Sequence, residues 1–141
     1  MSTGLTILNI WYKLQKNTTN SCYGGTIWNS FVYRTSGGKN ILSNLSNEVK
    51  PIVLTVLEGI LKDGLENFTT RPIDKKITPT LYEIKKKDVR IFYYRGLDNT
   101  INIVYITEHK QKNKTEKTDK KTAVDREKRM LKNPLIHREH I

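Results

Sequence analysis

Leu81-Tyr82-Glu83-Ile84-Lys85-Lys86-Lys87-Asp88-Val89-Arg90-Ile91-Phe92-Tyr93-Tyr94-Arg95 is the stretch on which the fold turns. Tyr82 and Ile84 alternate with Glu83 and Lys85. Beyond a short lysine-rich connection, Val89, Ile91 and Tyr93 alternate with Arg90, Phe92 and Tyr94. A period of two in aromatic and β-branched residues marks strands, and so short a connection makes them antiparallel. Tyr82 and Ile84 are expected to face the core, with Glu83 and Lys85 on the other side. Gly96-Leu97-Asp98-Asn99 is turn chemistry, and residues 101–106 supply a third strand of the meander.

Upstream, Val49, Ile52, Val53, Val56, Leu57, Ile60 and Leu61 recur at helical spacing, an amphipathic helix with one buried face. Ser46 or Asn47 can cap its start, Pro51 suits its first turn and Gly64 its end. A short helical turn with Ile41, Leu42 and Leu45 is expected before it, giving a helical hairpin. Residues 26–34 alternate Ile27, Phe31 and Tyr33 with Trp28 and Val32, a further strand ended by Ser36-Gly37-Gly38. Residues 66–79, with Pro72 and Pro79, read as a loop. Residues 119–132 carry a weak apolar stripe behind the caps Thr118 and Asp119, and Pro134 stops that helix. The chain divides into an extension over residues 1–25, one domain over 26–133 and a tail over 134–141. Its class is α+β: an antiparallel sheet with an N-terminal helical hairpin packed on one face and a short C-terminal helix.

With 25 Lys and Arg against 14 Asp and Glu, the net charge is +11 and the pI is near 9.8. Such a field favours polyanions, nucleic acid before an acidic protein or an anionic membrane surface. The charge concentrates between residues 107 and 133, where ten Lys or Arg face five Asp or Glu. The single Cys22 rules out an internal disulfide and points to a reducing compartment. No apolar run could span a bilayer, and residues 1–14 lack the basic region and cleavage site of a signal peptide. A cytoplasmic location without a membrane partner is the expectation. His137 and His140 stand apart from any Cys, His or carboxylate set with metal spacing, so neither metal nor cofactor is expected.

Four words of the sequence carry a family resemblance. They are Gly38-Lys39, Leu81-Tyr82-Glu83-Ile84-Lys85, Val89-Arg90-Ile91-Phe92-Tyr93, and the run from His109 through Lys112, Lys114 and Lys117 to Lys120. In this order, over about residues 26–132, the chain resembles the HigB branch of the RelE/ParE toxin superfamily, phage-derived host-growth inhibitors included. Lys110-Gln111 stands where a Gly-Phe pair usually follows the family's histidine. Asn113 and Asp119 replace the first lysine and the proline of its basic word. No further tyrosine follows Tyr105, although some relatives use a late one near the scissile phosphate. The resemblance implies a RelE-like fold and the toxin of a type II toxin–antitoxin system. Such a toxin is a metal-independent, ribosome-dependent mRNA endonuclease, with mRNA, the ribosome and a cognate antitoxin as partners.

That reaction needs a base for the 2′-hydroxyl, cations for the phosphorane and an acid for the leaving 5′-oxygen. Arg90, whose planar fork matches phosphate oxygens, is the first candidate clamp, against the alternative of an ion pair with Glu83. Lys85 is the next, as clamp or base, with Lys87 beside it on RNA; the pair could equally be a solvated edge run. His109 is the histidine placed like a general acid or base. Lys112, Lys114 and Lys117 are expected to hold RNA backbone as point charges. The residues leave a second class open: a non-catalytic phage or mobile-element protein on the same fold that inhibits a host protein such as gyrase.

Overall fold

The structure is a computed structural model that describes residues 28–108 and 117–141. The expected meander is present as β3 (Thr78–Lys86), β4 (Val89–Gly96) and β5 (Thr100–Thr107). Lys87, Asp98 and Asn99 adopt positive φ in the two hairpin turns, which lets each connection stay short. β1 (Asn29–Tyr33) lies parallel to β5 on the far side of the meander.

Two further strands were not apparent in the sequence. β2 (Thr70–Asp74) pairs antiparallel with β3 within the stretch read as a loop. A proline is tolerated there because β2 is the last strand of the sheet, where a missing N–H disturbs no ladder on its outer side. The expected tail, residues 134–141, is one short helical turn, α3 (Pro134–His137), followed by β6 (Arg138–His140) antiparallel to β1. Among the described residues the sheet is thus six-stranded and mixed but mostly antiparallel, in the order β2-β3-β4-β5-β1-β6.

Two main helices pack on it. α1 (Val49–Asp63) buries Val49, Val53, Val56, Leu57 and Ile60, the stripe expected from spacing. The Ser46 hydroxyl accepts the Val49 N–H at 3.3 Å just ahead of the helix, while Glu48 at the N-cap position makes no side-chain capping bond. Gly64 ends the helix at φ +86°, packed so closely on Trp28 that a β-carbon would lie 3.1 Å from the indole nitrogen. In place of a helical hairpin, a single 3-10 turn (Ile41–Asn44) precedes α1, capped by the Asn40 side chain. α2 (Lys117–Lys132) extends the expected C-terminal helix and covers the opposite face of the sheet from α1.

Covering both faces overturns the one-sided reading of the alternation. Ile84 and Ile91 are inaccessible on the α1 face, while Leu81 and Phe92 are inaccessible on the α2 face. Each such aliphatic or aromatic side chain contributes about 1.5–3 kcal/mol on full burial.

Candidate functional site

Strand register assembles the site. Lys85 of β3 lies directly opposite Arg90 of β4, and Arg90 directly opposite Thr107 of β5. Residues paired in this way project from the same side of a sheet, so the three form one row on the α2 face. The neighbouring row is Glu83, Phe92 and Tyr105. The Phe92 and Tyr105 rings stack at 5.7 Å with 19° between planes, and the Arg126 guanidinium of α2 sits 5.0 Å above Tyr105. Burial lowers the pKa of Arg126 from its ordinary value, but a guanidinium so basic stays charged.

Glu83 is fully buried and forms an ion pair with Arg71, its cross-strand partner on β2. A carboxylate withdrawn from water is tolerable when a cation meets it. The arginine found on Glu83 therefore comes from a strand the sequence did not reveal, because Pro72 beside it suppressed the strand reading.

Arg90, expected to face outward beside solvent, is 1% exposed. Among the described residues its Nε and Nη2 have no hydrogen-bond partner, and the buried Thr107 Oγ1 next to it has none either. Most buried polar groups in native proteins are bonded, and an unmet charged group costs several kcal/mol. Such a row, with a hydroxyl and unfilled N–H groups, offers hydrogen-bond donors to an anionic oxygen. Lys85 and Lys87 are exposed at the same end of the hairpin.

The other candidates separate. Lys117 is exposed at the start of α2 and lines a groove of about 380 Å³ with Asp74, Ile77, Lys120 and Val124. Lys120 bridges Asp74 there at 3.5 Å. The Lys76 backbone N–H, and then Lys120, hold the Asp74 carboxyl below its usual pKa. That groove adjoins the Thr78 end of β3, about 20 Å along the strand from Lys85 at ~3.3 Å per residue. Arg90 and Lys85 are brought together; Lys117 is not. His109, Lys112 and Lys114 lie outside the described residues.

A second constellation was missed because it rests on the supposed tail. Arg138 packs its guanidinium 3.5 Å over Phe31 and donates from Nε to the Asn102 side-chain Oδ1 at 2.8 Å. His140 meets Phe31 edge-on at 4.7 Å, and His137 stacks on Tyr33 at 5.5 Å. The spacing of Arg138 and His140, two residues apart like neighbours on one strand face, was the available signal.

No protein-family model matches the sequence, and no curated protein is significantly similar to it. Among the described residues no three His, Cys, Asp or Glu side chains gather as a metal site, and no helix is long and apolar enough to cross a membrane.

Proposed function

We propose that the chain acts on RNA as the toxin-like component of a type II toxin–antitoxin system, a ribosome-dependent mRNA endonuclease that inhibits translation. The observation that carries this reading is the Lys85–Arg90–Thr107 row. A guanidinium with two partnerless nitrogens lies beside an unpartnered hydroxyl and at the lysine-rich hairpin of a strongly basic chain. Arg90 would take the phosphate oxygens and stabilise the charge of the phosphorane. Lys85 would neutralise the scissile phosphate, and Lys87, Lys112, Lys114 and Lys117 would hold flanking backbone. His109 remains the proposed acid or base. The +11 charge also suits a cognate antitoxin with an acidic covering segment.

A second reading draws on the burial of Arg90 itself. A guanidinium at 1% exposure must be uncovered before it meets a phosphate. If it stays covered, the chain is a non-catalytic inhibitor of a host protein, gyrase for example, on the same sheet. Induction of the chain and of Arg90→Ala in bacteria, with 5′-end mapping of mRNA, separates the two. The nuclease reading expects new 5′-hydroxyl ends on ribosome-associated messages, unaffected by chelator and reduced about 10²-fold or more in the variant. Growth arrest with intact mRNA and unchanged potency in Arg90→Ala would refute it.

A further inference from the structure

β1 and β6 carry features that the Arg90 row does not use. Among the described residues β6 is the last strand of the sheet, held to β1 with Phe31 opposite His140 and Tyr33 opposite Arg138. Much of its fastening lies away from the residues on this face. The backbone supplies Arg34 N–H to His137 carbonyl at 2.8 Å and Ile141 N–H to Ser30 carbonyl at 3.0 Å. Arg34 donates to the Leu135 and Ile136 carbonyls, and Glu139, on the opposite face of β6, accepts from Asn40 and pairs with Arg34. Phe31, Arg138 and His140 on the α2 face add ring contacts and the Arg138–Asn102 hydrogen bond to that attachment, and each keeps part of its surface open to solvent.

We propose that this Phe31–Arg138–His140 stripe is a second contact for single-stranded RNA, in which bases stack on the rings while Arg138 and the nearby Arg129 take the backbone. The inference deepens the reading of the chain as an RNA-acting protein and rests on it. All three stripe residues are half-buried, so each is fixed in place yet presents surface, and Arg129 is exposed. Burial, with the Arg138 charge beside it, holds the His140 pKa below its ordinary value. The imidazole is neutral at pH 7 and offers a π face without added charge. Arg138 is already oriented by Asn102 and Phe31, so little rotamer freedom is lost when a phosphate arrives. Rings interleaved with arginines along a sheet edge suit a flexible strand with bases splayed out. The stripe lies on β1 and β6, and Phe31, opposite Asn102, is five residues or about 17 Å along the strands from the Thr107 end of the Arg90 row, so one RNA strand reaching both contacts must be longer than one filling that row alone.

Binding of the full-length chain is measured by fluorescence anisotropy with two single-stranded RNAs, of about 5 and about 15 nucleotides, at several salt concentrations. Phe31→Leu should weaken the longer RNA by about 5- to 150-fold, the range set by loss of one stacked base. Arg129→Gln with Arg138→Gln should flatten the log–log salt slope by about 1.4, from ~0.7 per phosphate contact. The shorter RNA should be affected by neither change. Photocrosslinking of 4-thiouridine RNA to the unaltered chain should label the peptide carrying His140, a readout independent of whether a variant keeps β6 docked. RNA bound by the chain with these variants at wild-type strength and no label at β6 would overturn the stripe alone. Equal weakening of base-containing and abasic strands would also overturn stacking, and would point to a partner read by charge. A chain that binds no RNA at any length refutes the RNA-acting reading and the stripe with it.

Discussion

Arg90 concentrates the conflict between stability and function in one side chain. A buried guanidinium whose Nε and Nη2 find no described partner keeps its desolvation cost and recovers little of it. An apolar residue of similar length should relieve that cost. Arg90→Met is expected to raise the unfolding free energy by about 1–3 kcal/mol while abolishing RNA cleavage and weakening binding. Chemical denaturation measures the first and 5′-end mapping the second. A destabilised Arg90→Met would mean that the guanidinium is satisfied in the folded chain and serves as structure. Tyr94 gives a titration at the same scale. Burial, reinforced by the carboxylate of Glu127, pushes its phenol up to about 12 against the opposing charge of Arg138. The folded form binds the neutral phenol, so its contribution is complete below the unfolded pKa near 10 and is lost as pH rises through about 12. Tyr94→Phe should therefore shift alkaline unfolding to higher pH, and an unchanged alkaline midpoint would show that another group governs it.

At the scale of elements, α1 and the meander could be read directly because each obeys one periodicity with its punctuation intact. Val49 to Leu61 keep helical spacing between Ser46, whose hydroxyl accepts the Val49 N–H, and Gly64, which caps the C-terminal end. Gly64→Ala should cost about 1–2 kcal/mol, from φ +86° and the approach of Trp28. A melting point equal to the wild type would show that the C-terminal turn relaxes freely. β2 and β6 were hidden for physical reasons. Each is short and lies at an end of the sheet, and their stabilisation comes from partners distant in sequence, such as Arg71 with Glu83 and Arg34 with Glu139. Local pattern carries no trace of such pairs. The expected site was legible as residue types, Arg90 and Lys85 on neighbouring strands. Its burial was not, because Glu83, Arg90 and Phe92 alternate with core residues as a solvent-facing row would, and nothing local announces that α2 will cover them.

Across the whole molecule, the C-terminus returns to the place where the described chain begins. β6 pairs with β1, and β1 pairs with β5, so the first and last described strands complete the side of the sheet away from the meander. Without residues 134–141, β1 would become the end strand. Val32, now inaccessible, would lose the cover of Glu139, and Tyr33 would lose its stacked His137. Arg34 would lose the Leu135 and Ile136 carbonyls and its ion pair with Glu139. Several net hydrogen bonds at ~0.5–1.5 kcal/mol each, with the exposed apolar area added, amount to about 2–4 kcal/mol. Truncation after Asn133 should thus lower the thermal midpoint by roughly 5–15 °C, with unfolding still a single transition, since α1, the meander and α2 keep their mutual packing. Differential scanning calorimetry of the full and truncated chains decides it. An unchanged midpoint would return residues 134–141 to the status of a tail. A loss of cooperative unfolding would make β6 a requirement for the fold rather than its last increment.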